Sequence, residues 1–412
     1  MKRTDVVVIG AGQAGLAASC CLSHRGIDHV VLDRGRVGER WRSERCDSRR
    51  RLTPNWMTRL PGYRYDGPDP DGFMTRREVV AFLDGYADQL EAPVEEHTTV
   101  WSVRRLGDDA FRVVTDRGEL RARAVIVATG HSAEPSLPAF VDRVSPAIAS
   151  LVPSCYRRPS DVPDGGVLVV GASATGVQLA DELQAAGRPV TLAVGRHTRL
   201  PRTYRGRDIH RWLDAMGVLS EGVDDLPSSE RRPTSLQLVG HRERGALDLP
   251  TLAAAGVRLV GRVTGAEGHR VARASDLAAS TARADAKMAR TLASIDAYVD
   301  ATGIEAPPAE APPSTVDRAS PPALDLRSES IRSVIWATGY RRRYWWLHVP
   351  VLDERGEIRQ RGGVTEAPGL YTLGIEMMRT RGSHSLDGVG ADASAIVAHL
   401  SAQLRCGHRR AA

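Results

Sequence analysis

The chain has 412 residues, enough for two or three domains at about 150 residues per domain. Hydrophobic residues make up 42% and charged residues 26%, which is typical of a globular protein and excludes fibrous, coiled-coil and wholly disordered chains. The net charge of +6 comes from 56 basic residues, 54 of them arginine, interspersed with 50 acidic residues. Because no clustered basic face is indicated, the sequence predicts no nucleic-acid partner.

Cysteine usage and hydropathy indicate the compartment. The five cysteines form no CxxC pair, and an odd count in so long a chain does not describe a disulfide framework. Cys406 and His408 near the C-terminus are too isolated to predict a metal site. The apolar run near the N-terminus is far shorter than a signal-peptide core, and no stretch of about 18 apolar residues occurs. The sequence therefore predicts a cytoplasmic protein with no membrane partner.

The first chemical motif is a glycine-rich turn between a strand and a helix. The β-branched run DVVVI at 5–9 leads into GAGQAG and then an Ala/Leu-rich helical pattern. Gly10 permits the tight turn, Gly12 lets a pyrophosphate approach the backbone, and Gly15 lets the helix pack against the strand. Asp33 ends the next strand, where a carboxylate can bind a ribose diol. This order predicts a dinucleotide site.

The pattern recurs at 166–176, where GVLVV enters GASATG and a second helical pattern follows. Gly171 and Gly176 repeat the outer glycines, and Ser173 replaces the middle one with a side chain small enough for close approach. A second dinucleotide site is therefore predicted.

The two sites differ in the residue that follows their second strand. The second unit has a basic loop there, in which Arg196 occupies the place of the acid and His197 and Arg199 follow. A guanidinium suits a ribose 2′-phosphate, so the second site is predicted to bind NADPH rather than NADH. The alternative is that any loop of so arginine-rich a chain contains arginines.

Two further segments share a form, VIVATG at 125–130 and VIWATGY at 334–340. Each reads as a buried strand that runs into a turn. One precedes the second glycine turn and the other follows the second domain, which suggests that the chain leaves the first domain and re-enters it.

These motifs, together with PGLYTLG and DGVG near the C-terminus, resemble those of class B flavin monooxygenases over nearly the whole chain. The resemblance implies an α/β fold with two Rossmann-like dinucleotide-binding domains, the FAD domain discontinuous and the NADP domain inserted in it. The expected boundaries are 1–155 and 323–412 for the FAD domain and 156–322 for the NADPH domain, which includes a helix within 272–304 and a Pro-rich linker. FAD is expected at the first turn and NADPH at the second.

The resemblance also implies further cofactor-binding residues. Beside the first turn these are Gln13, Ala14, Arg34, Trp41, Arg42, Asp47, Thr53, Val100, Ala128, Thr129 and Gly130. The remainder are Ala174, Thr175, Ala337, Thr338, Gly339, Tyr340, Gly374 and Leu386. Two candidates for a catalytic role are Asn55, as an amide donor beside the flavin, and Asp387, as a helix cap aimed at it.

The activity that this resemblance implies is NADPH-dependent monooxygenation, in which one oxygen atom of O2 enters nitrogen, sulfur or a carbonyl of a small substrate through a C4a-(hydro)peroxyflavin. The segment at 140–150 departs from the family, because it lacks the Gly, His and final aromatic of the inter-domain histidine motif, of which Tyr156 is a possible shifted remnant. An NADPH-dependent flavin oxidase, reductase or dehydrogenase is therefore the alternative. A third is a flavin- or nucleotide-binding protein with a regulatory or interaction role and little turnover. The substrate is left open, as is the oligomeric state, for which a homodimer is one option.

Overall fold

A computed structural model describes residues 1–107, 109–228, 230–231, 236–240, 245–313 and 323–411, with side chains through residue 405. The helices are α1 (Gln13–Ser23), α2 (Glu39–Ser43), α3 (Arg76–Gln89), α4 (Ala174–Ala185), α5 (Ile209–Ala215), α6 (Leu249–Ala254), α7 (Leu277–Thr302) and α8 (Val389–Ala411). Short 3₁₀ turns lie at Asn55–Met57, Val141–Arg143, Pro153–Cys155, Pro159–Asp161, Val218–Ser220 and Val223–Asp225. Within these described ranges, no helix is long and apolar enough to cross a membrane.

The first sheet has nine strands and is built around Lys2–Ile9. This strand lies parallel between His29–Leu32 and Gly118–Val127, and its Val6, Val7 and Val8 are fully buried. The other strands are Val94–Glu95, Val100–Arg105, Phe111–Thr115, Gln360–Arg361, Val364–Thr365 and Leu370–Thr372. Because both faces of the central strands are covered, their sequence is a continuous β-branched run.

The second sheet has five parallel strands in the order Ala149–Leu151, Ile331–Trp336, Gly166–Val170, Val190–Val194 and Arg258–Gly261. Every residue of its central strand is buried. α4 connects the third and fourth strands as a crossover helix. The chain thus has the predicted α/β architecture with two sheets, the first mixed and the second all parallel, and each carries one glycine-rich turn.

The strand pairing divides the chain differently from the expected boundaries. Ala149–Leu151 was expected in the first domain, and Ile331–Trp336 in its second part, yet both belong to the second sheet. The second ATG segment therefore ends a strand of the second sheet, as the first ATG segment ends a strand of the first. The physical reason is that the alanine carbonyl of each ATG segment packs against the glycine-rich turn of its own sheet.

The two connections between the sheets pair with each other. Glu134–Pro135 and Tyr340–Arg341 form a short antiparallel ribbon, beside which Arg343 donates two hydrogen bonds of 2.9 and 3.1 Å to Glu134. Other short pairings join Arg59–Leu60 to Tyr63–Arg64, Thr198–Arg199 to Leu236–Gln237, Thr203–Tyr204 to Arg207–Asp208, and Val263–Glu267 through Arg270–Arg273 to Ala323–Asp325. The chain leaves and re-enters the first sheet through this ribbon.

The helix predicted within 272–304 is confirmed as α7, which ends at Gly303 in the left-handed region (φ 67°). Its Met288, Leu292 and Ile295 pack on Trp212 of α5 in a separate core cluster. Of the predicted Pro-rich linker, residues 314–322 lie outside the described residues.

Candidate functional site

Both glycine-rich turns open into one cleft between the two sheets. The cleft encloses about 1550 Å³, more than the roughly 300–1,000 Å³ of a pocket that holds one small ligand. Its walls include Gly12 and Gln13 of the first turn and Ser173 and Thr175 of the second. The arrangement has room for two ligands that face each other.

Each turn is tightly constrained by its outer glycines. Gly10 and Gly171 have φ angles of 110° and 108°, where side chains are strained. A Cβ on Gly15 would lie 1.8 Å from the Gly10 carbonyl oxygen, and a Cβ on Gly176 would lie 1.8 Å from that of Gly171. By contrast, a Cβ on Gly12 meets no atom within 4 Å. The outer glycines of both turns therefore have the roles that their spacing predicts, and Gly12 presents bare backbone to the cleft.

The ATG segments support these turns. A Cβ on Gly10 would lie 2.5 Å from the Ala128 carbonyl oxygen, and a Cβ on Gly171 would lie 2.4 Å from the Ala337 carbonyl oxygen. An alanine at either glycine would collide with backbone. The repeated ATG sequence thus marks the strand end that packs against each turn, a role that its sequence alone does not reveal.

The helices that follow the turns start without side-chain caps. The N-cap residues Gly12 of α1 and Ser173 of α4 make no capping hydrogen bond, and neither first turn contains an acid. α3, by comparison, is capped by Thr75 with a reciprocal bond from Glu78. The N–H groups at the starts of α1 and α4, together with the helix dipoles, therefore suit the pyrophosphate of a dinucleotide.

Asp33 lies at the wall of the first site. Its carboxylate accepts hydrogen bonds from the Ala11 N–H (2.7 Å) and the Gly35 N–H (2.8 Å). These bonds fix the carboxylate beside the turn and leave it lone pairs for a ribose diol.

Most of the predicted cofactor residues line this cleft. They are Gly10, Gly12, Gln13, Ala14, Asp33, Arg34, Trp41, Thr53, Val100, Ala128, Thr129, Gly130, Ser173, Ala174, Thr175, Ala337, Gly339, Tyr340, Gly374 and Leu386. Gly15, Gly171 and Gly176 support the turns from behind.

Three other predicted residues lie off the cleft wall. Arg42 pairs with Asp84 of α3, and Asp47 pairs with Arg76 at 2.8 Å. Thr338 donates to the Ser136 carbonyl (2.6 Å) beside the inter-sheet ribbon. These side chains fix the elements around the cleft and do not line it themselves.

Arg199 and His197 also differ from the prediction. Arg199 is 2% exposed and binds Asp285 (2.6 Å) and Asp248 (3.2 Å), so its charge is used inside the second domain. His197 is buried and its Nδ1 contacts the Gly195 carbonyl (3.0 Å). Arg196 is exposed at the end of its strand and has no ion pair among the described residues. Of the three, Arg196 alone is exposed, so its predicted role at a 2′-phosphate stays a prediction.

Asn55 does not reach the cleft. It is 5% exposed, its Nδ2 donates to the Asp69 carbonyl (2.9 Å), and its Oδ1 accepts from the Met74 N–H (2.7 Å). Because both ends of the amide hold the loop at 69–74, Asn55 is a structural clamp, and its proposed catalytic role is corrected.

We expect Asn55→Ala to lower stability by about 1–3 kcal/mol, since the Met74 N–H is left buried without a partner. The turnover of protein that retains its cofactor should stay within about twofold of wild type. Thermal unfolding and kinetics normalised to bound flavin measure the two effects. A large loss of turnover at unchanged melting temperature would return Asn55 to catalysis.

Asp387 does line the cleft, but its charge is paired with that of Arg59. Arg59 donates to both of its carboxylate oxygens, one at 2.9 Å, and also lies 3.9 Å from Asp214. This pairing fixes the loop before α8 against the short ribbon at 59–64. Both carboxylate oxygens of Asp387 are thus already engaged by Arg59.

Tyr156, the possible remnant of the missing motif, also lies elsewhere. Its ring is fully buried, and its hydroxyl donates to Glu182 of α4 (3.1 Å). The aromatic residue absent from 140–150 is therefore not replaced by Tyr156.

Two histidines face each other in the cleft wall. The rings of His131 and His384 meet edge to face with centroids 5.5 Å apart, and the buried His384 Nδ1 has no partner within the described structure. Burial lowers the pKa of His131 to about 4 and also lowers that of His384, while Glu376 opposes both shifts. Both rings are therefore neutral near pH 7 and can accept a proton or a hydrogen bond from a ligand.

The same shifts predict acid sensitivity. Since the pKa of His131 falls from 6.5 when unfolded to about 4 when folded, the unfolded state binds more protons between these values, and stability falls as pH drops from 6.5 towards 4. The charges acting on His131 include those of Glu376, Arg45 and Arg342. In His131→Gln this contribution is absent, so unfolding midpoints measured from pH 8 to 4 should fall less steeply than in wild type. If the unfolding midpoints of wild type and His131→Gln fell equally steeply with pH, the lowered pKa of His131 would be contradicted.

Arginines of the segment 45–51 form a part of the wall, although none of them is among the predicted cofactor-binding residues. Arg45, Arg49, Arg50 and Arg51 all line the cleft. The signal available was the run of three arginines before LTP, which is inconspicuous in a chain with 54 of them.

Matches to known proteins identify the chain. The family model described as pyridine nucleotide-disulphide oxidoreductase matches residues 7–216. The uncharacterized oxidoreductase CzcO-like of Geobacillus kaustophilus is 31% identical over 396 residues, which cover 95% of this chain and 97% of that protein. The indole-3-pyruvate monooxygenase YUCCA1 of Oryza sativa subsp. japonica is 32% identical over 195 residues, 46% of this chain and 47% of that protein.

A flavin-containing monooxygenase from Stenotrophomonas maltophilia has the same fold, with a TM-score of 0.68 at 20% identity over 98% of this chain and 99% of that one. The bare turns, uncapped helices and shared cleft fit two dinucleotides, in agreement with the predicted cofactors. The chain belongs to the pyridine nucleotide-disulphide oxidoreductase family, as an oxidoreductase whose cofactors are FAD and NADPH.

Proposed function

We propose that this oxidoreductase is a monooxygenase that inserts one oxygen atom of O2 into nitrogen, sulfur or a carbonyl of a small organic substrate. The chemistry that bound FAD would supply is hydride acceptance from NADPH and electron transfer to O2. For a thioether, one molecule each of thioether, O2 and NADPH and one proton give one molecule each of sulfoxide, water and NADP⁺. The observation that carries the proposal is that both nucleotide turns face one cleft, in which no described wall residue is a cysteine.

The absence of a cysteine from the described cleft wall disfavours the family's other chemistry, which is disulfide reduction. Disulfide reduction by thiol exchange needs a reactive cysteine beside the flavin. Cys20, Cys21 and Cys46 are buried away from the cleft wall, and burial raises the pKa of Cys21 to about 11 and also raises that of Cys46. The similarity to YUCCA1 and to the Stenotrophomonas enzyme, both named as monooxygenases, favours oxygen transfer instead.

The residues of this chain would act by binding and orientation. The start of α1 and Asp33 would hold the pyrophosphate and ribose of FAD, and the start of α4 with Arg196 would hold the phosphates of NADPH. Gln13 donates to the His384 carbonyl (3.4 Å), which ties the first turn to the loop before α8. The neutral His131 and His384 can accept hydrogen bonds from a ligand or exchange a proton with it. Apolar parts of the wall, such as Met57 and Leu60, limit the access of water.

The test supplies NADPH and ¹⁸O2 to the FAD-loaded protein with a panel of small amines, thioethers and ketones. The account expects at least one product to carry one ¹⁸O atom for each NADPH oxidised, with little hydrogen peroxide. If one molecule of hydrogen peroxide forms for each NADPH oxidised with every member of the panel, the protein is an oxidase. The absence of the histidine motif from 140–150 is the observation that favours this second candidate.

A further inference from the structure

The cleft wall holds an unusual group of cations. Eleven arginines line it, and seven have a carboxylate within 4 Å. These pairs are Arg34 and Arg40 with Glu44, Arg59 with Asp387, Arg341 and Arg343 with Glu134, Arg342 with Glu357, and Arg381 with Glu221 and Glu230. In the described parts of the chain, the other four have none. They are Arg45, Arg49, Arg50 and Arg51, all from one short segment, which we call the unpaired arginines.

Two of the unpaired arginines are deeply placed. Arg51 is 5% exposed and its guanidinium donates to the hydroxyls of Thr53 and Thr58, which carry no charge. Arg49 donates to Gln178 of α4, and its Nε is buried without a partner in the described structure. Burial lowers the pKa of both arginines to about 10. A buried cation with only neutral partners costs free energy that an anion can offset.

The other two also have neutral partners. Arg50 donates to the Phe73 carbonyl (2.8 Å), and the guanidinium of Arg45 lies 5.8 Å from the ring centroid of Trp41. The acid whose charge acts on Arg51 is Asp387, and both of its oxygens already accept from Arg59. The positive charge of this wall is therefore not satisfied by the described protein.

The nucleotides have other partners for their phosphates. The uncapped starts of α1 and α4 suit the two pyrophosphates, and Arg196, outside the cleft wall, suits the 2′-phosphate. The unpaired arginines instead lead directly into Thr53, in the loop that lines the cleft between the two turns. This position points to a third ligand.

We infer that the unpaired arginines bind the anionic group of the substrate, so that the enzyme acts on small organic carboxylates or sulfonates rather than on neutral or cationic molecules. That the bound anion is a substrate rests on the proposed function. Binding of the anion to these arginines does not itself depend on oxygen transfer. Guanidinium groups bind carboxylates with paired hydrogen bonds, which gives both affinity and orientation.

The test compares 4-(methylthio)benzoate with 4-(methylthio)benzamide, which share a thioether and differ in charge. Equilibrium dialysis against the FAD-loaded protein should give a dissociation constant at least tenfold lower for the carboxylate. In Arg51→Gln and in Arg45→Gln the difference should shrink to within about threefold, while affinity for NADPH is kept. Arg45→Gln guards against misfolding, because the Arg45 side chain makes no ion pair in the described structure. Arg343→Gln is the matched control, since Arg343 lines the cleft but is paired with Glu134, and it should keep the full difference.

Two results would overturn the inference. Equal binding of the two thioethers to wild type excludes an anion site. A preference that survives both variants, with weaker NADPH binding instead, assigns these arginines to a nucleotide phosphate. The two proposals also fail separately. If both probes are converted to sulfoxide and bind equally well, monooxygenation is supported and the anion site is not. If the carboxylate binds selectively but hydrogen peroxide is the sole oxygen product, the anion site is supported and monooxygenation is not.

Discussion

Gly15→Ala is expected to prevent the first domain from folding, whereas Gly12→Val should leave the fold intact and abolish FAD retention. A methyl group on Gly15 would lie 1.8 Å from the Gly10 carbonyl oxygen, and that backbone cannot move without opening the turn. We expect a loss of more than about 4 kcal/mol, in the range of the most damaging single substitutions. Gly12 has an ordinary φ of −86° and an open Cβ position, so an isopropyl group there enters the cleft where the pyrophosphate would lie.

Circular dichroism of the apoprotein and the dissociation constant for FAD separate the two effects. Gly26→Ala, in the turn after α1, is the control: its φ is 62° but its Cβ position is open, so only the strain of about 1–2 kcal/mol is expected. Normal FAD binding by Gly12→Val would show that the nucleotide does not approach this face of the turn.

The second large effect distinguishes two arginines three residues apart. Arg199→Gln leaves Asp248 and Asp285 without their cation, and breaking a buried pair costs roughly 3–5 kcal/mol, so this variant should be strongly destabilised. Arg196→Gln changes an exposed side chain and should leave the melting temperature unchanged. Its KM for NADPH should rise about tenfold or more, since a hydrogen bond to a charged group contributes about 1.5–3 kcal/mol, while its KM for NADH stays the same.

Melting curves and kinetics with both nucleotides measure these outcomes. If Arg199→Gln kept its stability and lost its preference for NADPH, the 2′-phosphate would lie at Arg199 and the buried pairing would be incorrect.

These two arginines also show where prediction from the sequence ends. The glycine spacing predicts both turns because it reflects local backbone geometry, such as the positive φ of Gly10 and Gly171. The difference between Arg196 and Arg199 depends on α7, which brings Asp285 from 86 residues away, and no local pattern encodes that contact. Asn55 was misassigned for a similar reason, since its partners Asp69 and Met74 belong to a loop whose path is set by packing.

Strand pairing posed the same difficulty. The segment at 331–336 reads as a buried strand, but its partners Gly166–Val170 and Ala149–Leu151 are fixed by the position of the second turn, so the expected boundary was displaced. The sequence likewise does not predict which arginines form ion pairs with carboxylates. The unpaired arginines stand out only when the carboxylates facing the other seven cleft arginines are known.

The two nucleotides are expected to meet in one cleft, and anaerobic mixing of the FAD-loaded protein with NADPH tests this arrangement. The account predicts that the yellow flavin absorbance bleaches with one NADPH consumed per flavin. It also predicts that NADPH deuterated at the transferred position of the nicotinamide slows the bleaching. Tight binding of NADPH without bleaching, or bleaching that is equally fast with the deuterated nucleotide under hydride-limited conditions, would contradict direct transfer between the two sites.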